Sequence, residues 1–203
     1  MNFQIFKVRT TRFALGLAII LMGSGCAPFR VDFNLTHGGP KSKGKSIAVI
    51  SGTKEEQNVV LAKLVSDSLR KISRYQVASA GEISQAVTPY PQTIKGPYKS
   101  AYFSIDTDWE MGDRKKITSI QQTLGVDYLY VIWAPIAVSS NGNPLVTVPA
   151  VAQLFEQPNA KEIAQTEMTL FEGDEKKLVF KEGADEIARQ LAEKTNMAAA
   201  AKK

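Results

Sequence analysis

The amino-terminal segment places the strongest constraint on this chain, because it fixes where a folded domain can begin. Lys7, Arg9 and Arg12 precede the apolar run Phe13–Met22, which is followed by Gly-Ser-Gly. This order of basic, apolar and small segments is typical of a secretory signal. The apolar run has 10 residues, whereas a helix that spans a bilayer needs about 20. We therefore predict an export signal over residues 1–25.

The junction between Gly25 and Cys26 resembles the lipoprotein signal family. In that family a stretch of small residues ends at a cysteine that is diacylated and becomes the new amino terminus. The resemblance implies lipidation of Cys26, and two or more acyl chains hold a protein stably on a membrane. Cys26 is also the only cysteine, so the chain has no second thiol for an intrachain disulfide. The family's usual leucine three residues before the cysteine is Gly23 here, which bears on the efficiency of cleavage.

The residue after the cysteine carries information about the final membrane. In the lipoprotein family an aspartate at that position tends to retain the protein at the inner membrane, and this chain has Ala27 there. The resemblance therefore implies the outer membrane of a two-membrane cell, with the domain facing the periplasm.

The charge balance argues against nucleic acid as a partner. The formal net charge is +5, but removal of the signal leaves 22 basic and 20 acidic residues. Charges of both signs are interspersed along the mature chain, so the sequence gives no basic face that would follow a phosphate backbone. The expected partners are the membrane, through lipid on Cys26, and another protein of the cell envelope.

Composition divides the mature chain into three parts. Residues 26–45 are rich in Gly, Pro and Lys and show little periodicity, so they predict a lipidated tether. A disordered tether of this length would reach roughly 25 Å. Residues 46–196 have the size of one domain with its own core, and residues 197–203 form a polar tail.

Local patterns over residues 46–196 predict an α/β (α+β) domain in two or three layers, with a mixed sheet of about five strands flanked by helices. The most apolar run, 126–134, predicts a central strand. Thr53 and Glu56 have the spacing of a capping box at the start of a helix. Pro149 is expected at a sheet edge or a bulge, because it lacks a ladder donor. Further strands are predicted at 46–50, 75–78, 101–105, 145–155 and 161–171, and helices up to 72 and at 81–87, 113–124 and 177–196.

The order of these elements, together with the segment Leu124-Gly-Val-Asp-Tyr128, resembles a known superfamily. Its members include the curli-secretion lipoprotein CsgG, the penicillin-binding-protein activator LpoB and the amino-terminal domain of TolB. The resemblance covers roughly residues 45–196, with a departure over 79–113. It implies a non-catalytic envelope domain that binds another protein, as an assembly component or an activator of cell-wall machinery.

An alternative implied by the same superfamily is a subunit of an oligomeric outer-membrane secretion or pore complex. CsgG-like proteins use membrane-spanning hairpins, and the run 145–155 is the one candidate for such a strand here. A soluble hairpin is the simpler interpretation, because Pro149 interrupts the alternation of the run. The sequence leaves the oligomeric state open.

The chain has few of the residues from which catalytic sites are usually built. The single histidine, His37, lies in the predicted tether, so neither a histidine-based triad nor a zinc site is expected. We predict no metal, no cofactor and no enzymatic activity. Four carboxylates lie close to Trp109 in the sequence, namely Asp106, Asp108, Glu110 and Asp113. They leave a hydrolase as a less favoured alternative, whereas a solvated loop with Asp113 as a helix cap is simpler.

Aromatic residues are dense between positions 90 and 109, and aromatic side chains dominate the energetics of binding surfaces. The sequence therefore predicts a partner-binding role for Tyr90, Tyr98, Tyr102 and Trp109. Core packing is the competing interpretation, since neighbouring residues of a strand point to opposite faces. Both interpretations stay open at the level of sequence.

Overall fold

The computed structural model describes residues 29–36, 40, 45–96, 98–99, 104–105, 113–133, 147–171 and 176–197. Within these ranges the strands are β1 (Phe29–Leu35), β2 (Ser46–Ser51), β3 (Gln76–Val77), β4 (Tyr98–Lys99), β5 (Ser104–Ile105), β6 (Tyr128–Trp133), β7 (Thr147–Glu156) and β8 (Lys161–Phe171). The helices are α1 (Glu56–Ile72), α2 (Ala80–Ala86), α3 (Arg114–Leu124) and α4 (Lys176–Lys194).

The main sheet has six strands in the order β1-β8-β7-β6-β2-β3. β2 runs parallel to both of its neighbours, whereas the other neighbouring pairs are antiparallel. β4 and β5 form a separate two-stranded pair. The predicted mixed sheet is therefore confirmed, with one strand more than the five expected.

The additional strand, β1, corrects the predicted tether. The sequence predicts a tether over residues 26–45, but Phe29–Leu35 pairs with β8 along its whole length. Phe33 is 2% exposed and belongs to the main core. The sequence carries the signal for this strand, because apolar residues at 29, 31, 33 and 35 alternate with polar ones at 30, 32 and 34. Proline on one side and glycines on the other obscured that alternation.

Two apolar clusters lie on opposite faces of the sheet and give the domain three layers. α1 and α4 cover one face, where Leu61, Leu69, Tyr130, Ile187 and Leu191 are among the buried residues. α2 and α3 cover the other face, where the buried set includes Ile83, Ile117, Leu129, Trp133 and Phe155. The α+β class with helices on a mixed sheet is confirmed.

The start of α1 differs from the prediction. Its N-cap is Glu55, without a side-chain capping bond, so the capping box assigned to Thr53 and Glu56 was wrong. A complete capping box occurs instead at α2, where Ser79 Oγ accepts from the backbone N of Glu82 at 3.2 Å. Glu82 Oε2 accepts in return from the backbone N of Ser79 at 2.6 Å.

Pro149 does not lie on an edge strand, because β7 is between β6 and β8. The irregularity in the pairing of β7 with β8 is at Leu154 and Phe155, so Pro149 is not at this bulge either. Among the described residues, pairing with β6 begins at Val151. Pro149 therefore lies outside the stretch of β7 that the structure describes as paired on both sides, where a missing donor would cost most.

Candidate functional site

The structure describes only part of the predicted site. Cys26, Tyr102 and Trp109 lie outside the described residues, as do His37 and three of the clustered carboxylates. Tyr98 opens β4 and pairs with Ile105. Lipidation of Cys26 and a contact role for the aromatic stretch therefore stay predictions.

Tyr90 is half-buried and packs against the apolar cluster beneath α2 and α3. Its hydroxyl accepts a hydrogen bond from the backbone N of Ser51 at 3.2 Å. Burial raises the pKa of Tyr90 above its ordinary value. The side chain thus fastens the loop of residues 87–96 to the end of β2, which gives it a packing role whether or not its exposed part contacts a partner.

Substitution of Tyr90 separates these two roles. We expect Tyr90→Phe to lower the free energy of unfolding by about 1 kcal/mol, because the buried N–H of Ser51 loses its acceptor. Tyr90→Ala should cost about 2 kcal/mol or more, since apolar packing is lost as well. Urea denaturation of both variants measures the difference. An unchanged midpoint for Tyr90→Ala would contradict the packing role.

The carboxyl ends of the parallel strands β2 and β6 are the place where open α/β sheets usually bind ligands. The chain leaves β2 for α1 on one face of the sheet, and it reaches β6 from α3 on the other face. The helix that follows β2 and the helix that precedes β6 therefore lie on opposite faces of the sheet, although the two strands are neighbours. A crevice is expected at this point.

Polar side chains of the chain itself occupy one part of that crevice. Asn58 is fully buried, and its Nδ2 donates to Ser51 Oγ at 2.6 Å and to the carbonyl of Ile132 at 2.8 Å. Ser51 Oγ in turn donates to the carbonyl of Thr53 at 2.6 Å. These bonds join both strand ends to the first turns of α1, and the segment 51–54 acts as a structural turn.

An indole ring fills the neighbouring part of the crevice. Trp133 is 2% exposed, and its Nε1 donates to the carbonyl of Ile94 at 2.9 Å. Gly52 and Gly96 approach the ring so closely that an added Cβ would lie 2.2 Å and 2.7 Å, respectively, from its atoms. The absence of side chains at these two positions makes room for the indole.

The segment on which the superfamily resemblance depends has structural roles at every described position. Gly125 has a φ of +63° and ends α3. Val126 and Tyr128 are buried. Asp127 Oδ2 accepts three hydrogen bonds, from Lys45 N at 2.8 Å, Ser46 N at 3.0 Å and Ser46 Oγ at 2.7 Å. This carboxylate ties the beginning of β2 to the beginning of β6.

The ionisation of Asp127 is coupled to folding. Partial burial favours the neutral acid, but the hydrogen bonds from Ser46 and Lys45 outweigh it and hold the pKa of Asp127 below its usual value. The unfolded-state pKa of an aspartate is about 3.9. Because the pKa of Asp127 is lower than this in the folded state, the ionised carboxylate stabilises the fold at pH values above about 3.9. This stabilisation is lost as the pH falls through the folded-state pKa.

We expect Asp127→Ala to lower the free energy of unfolding by about 2 kcal/mol at neutral pH, because hydrogen bonds to a charged acceptor are lost. The difference in unfolding free energy between wild type and variant should narrow as the pH falls through the lowered pKa of Asp127. Asp67→Ala is a matched control, since its exposed pair with Lys63 at 2.7 Å should contribute only about 0.3–0.5 kcal/mol. Equal effects of the two substitutions in urea denaturation would contradict the anchoring role of Asp127.

Within the described ranges the chain has neither a metal-binding cluster nor a helix that could cross a membrane. Within the ranges given above, His, Cys, Asp and Glu side chains form no group of three or more that could hold a metal ion. Each helix in the described part of the chain is too short or too polar to cross a bilayer.

Comparison with known proteins finds partial likenesses of fold. No protein-family model and no curated protein matches the chain. A variant of the PelC dodecamer from Paraburkholderia phytofirmans is similar with a TM-score of 0.45 and 11% identity, over 78% of this chain and 95% of that chain. Lipoprotein GNA1162 from Neisseria meningitidis is similar with a TM-score of 0.41 and 15% identity, over 73% of this chain and 98% of that chain. At these values the likenesses transfer neither a partner nor an assembly state, and membership of the CsgG, LpoB and TolB superfamily stays a prediction.

Proposed function

We propose that this chain is a lipoprotein of the cell envelope, held on the outer membrane by lipid on Cys26, whose domain is a non-catalytic module that binds another envelope protein. The observation that carries the proposal is the position of Cys26. It directly follows a segment with the order of an export signal, and it precedes the first strand of the domain by only three residues. A lipid at that position would keep the whole domain at the membrane surface.

The non-catalytic part of the proposal is supported by the chemistry at the carboxyl ends of β2 and β6. The polar groups there bond to one another rather than converging on an open space, as Asn58 and Trp133 illustrate. A binding role then falls to the surface of the domain. The aromatic stretch between residues 90 and 109 supplies the residue types that dominate protein interfaces.

Photocrosslinking in cells tests the binding role. A photoreactive amino acid placed at Tyr102 or Trp109 should capture a specific envelope protein, which mass spectrometry then identifies. Asn159, an exposed residue in the turn between β7 and β8, is the matched control position. The same probe at Asn159 should not capture that protein.

The outcome of crosslinking also separates the proposal from its alternative. Capture of other copies of this chain, together with a ring-sized particle after extraction in detergent, would favour a subunit of an oligomeric complex. Equal capture from all three positions, or no specific product from any of them, would contradict the binding module.

A further inference from the structure

The position of β1 bears on how the domain meets the membrane. Resting on the proposed lipid anchor, we propose that the end of the sheet at which β1 starts lies directly against lipid headgroups, and that its exposed basic residues contact anionic lipid. We name this end the anchor end. It comprises the start of β1 and the carboxyl ends of β2 and β6.

The proposed lipid and the first strand are separated by a very short stretch of chain. Only Ala27 and Pro28 separate Cys26 from Phe29, which is already paired with Leu170. Three residue steps of fully extended chain span at most about 11 Å. The polar headgroup layer on each side of a bilayer is itself roughly 5–8 Å thick. The start of β1 therefore lies within about 11 Å of Cys26, closer than a tether of residues 26–45 would place it.

The pairing register identifies which other strand ends share this side of the domain. Phe171 of β8 pairs with Thr147 of β7, so both lie at the same end as the start of β1. Further along the sheet, Trp133 of β6 pairs with Val151, close to the start of β7. Ser51, the last residue of β2, pairs with Ile132. The carboxyl ends of β2 and β6 are thus at the anchor end.

Hydrogen bonds bring two further segments to the anchor end. The backbone N of Ile94 donates to the carbonyl of Gly52 at 2.9 Å, which fixes the preceding loop beside the end of β2. Lys116 Nζ donates to the carbonyl of Thr93 at 2.6 Å, and Asp113 accepts from the backbone N of Lys95. The start of α3 therefore lies next to that loop.

Exposed basic residues outnumber exposed acidic ones at the end of β2 and the start of α3. Lys54, Lys95, Arg114 and Lys115 are exposed there with Glu56, whereas Glu55 and Asp113 are half-buried. At the β1 edge of the same end, Asp32 and Glu167 are exposed. Successive basic residues at the start of α3 oppose the helix dipole. Contact with phosphate headgroups would offset that repulsion. The domain would then contact the membrane at two points, through the lipid before β1 and through the basic residues near β2 and α3. These two contacts would set its tilt.

Contact quenching of a fluorophore tests this orientation. The processed chain is purified from membranes and reconstituted in phosphatidylethanolamine and phosphatidylglycerol vesicles that contain a headgroup nitroxide lipid. A dye is attached to Lys54→Cys at the anchor end or to Asn159→Cys at the opposite end. Cys26 is the only native cysteine, and lipid would occupy its sulfur, so each dye has one site. Ser51 is level with Ala152 of β7, and Asn159 lies in the turn after Glu156, so the sheet alone separates the two ends by about 14 Å. We expect several-fold stronger quenching at position 54.

Reversing the charge of basic residues tests whether the domain contacts anionic lipid. Lys95→Glu with Lys115→Glu should reduce quenching at position 54 on these vesicles. Arg70→Glu with Lys71→Glu, exposed residues at the carboxyl end of α1, is the control and should leave the quenching unchanged. The same reduction from both pairs, or none from the first pair, would overturn the assignment of anionic lipid.

Mass spectrometry of the same samples shows whether Cys26 carries lipid. This measurement distinguishes a failure of the proposed orientation from a failure of the proposed anchor. If Cys26 carries lipid and the dye at Asn159 is quenched as strongly as the dye at Lys54, the orientation is wrong and the anchor remains. If Cys26 carries no lipid, the anchor and the orientation fail together.

Discussion

Gly52→Ala is expected to lower the free energy of unfolding by about 3 kcal/mol or more, which is a large part of the stability of a domain of this size. An added Cβ would lie 2.2 Å from Trp133 Nε1 and 2.5 Å from Cδ1. A buried ring has no solvent to move into, and overpacking alone costs about 1–3 kcal/mol. Displacement of the indole would also break its bond to Ile94, and an unpaired buried N–H costs about 1–3 kcal/mol more.

Gly81→Ala is the matched control for this substitution. Gly81 lies in α2, and an added Cβ would meet its nearest atom, Ser79 Oγ, at 3.9 Å. Alanine in a helix is favoured over glycine by roughly 0.5–1 kcal/mol, so this variant should be slightly more stable than wild type. Thermal and urea denaturation measure both changes. A Gly52→Ala variant as stable as Gly81→Ala would contradict the close packing of Trp133 at the strand ends.

Cys26→Ser is expected to abolish lipid attachment completely, because the hydroxyl of serine is not a substitute for the thiol that the lipoprotein signal family modifies. The variant should incorporate no alkyne-labelled fatty acid and should retain residues 1–25, because it lacks the cysteine that the resemblance assigns as the new amino terminus. It should also be absent from the outer-membrane fraction. Labelling in cells followed by fractionation and mass measurement checks all three expectations.

Ala27→Ser provides the control for the anchor, because it changes the neighbouring residue and leaves the thiol in place. It should be labelled and fractionate like wild type. Because Cys26 precedes the first strand of the sheet, neither substitution should change the denaturation midpoint of the domain. Fatty-acid incorporation into Cys26→Ser would refute the assignment of the lipid to this residue.

Local sequence patterns predicted those elements whose formation depends on neighbouring residues. The apolar run at β6 and the alternation of β8 were recognisable, since each extends over several residues. Gly125 was recognisable because only glycine readily takes the left-handed conformation that ends α3. β1 was missed because its seven residues lie between breakers, and because its partner β8 is more than 120 residues further along the chain.

The interior of the candidate site was not predictable, because its contacts join distant parts of the sequence. Asn58 bonds to the carbonyl of Ile132, 74 positions away. Trp133 bonds to Ile94, 39 positions away. Nothing in the local pattern around Gly52 or Gly96 indicates that an indole lies beside them. Asp127 was likewise recognisable as part of a motif, but its role became clear only with the start of β2 beside it.

The position of β1 also changes what the anchor does. A tether of residues 26–45 would let the domain move well clear of the membrane, whereas with lipid on Cys26 the two residues before Phe29 would hold the start of β1 close to the headgroups.

The central claim is that lipid on Cys26 fixes this domain to a membrane, and mass spectrometry of the amino-terminal peptide of the processed protein tests it most directly. We predict a peptide that begins at Cys26, with a diacylglyceryl group on its sulfur. A free thiol at Cys26, or an amino terminus at another residue, would contradict the account.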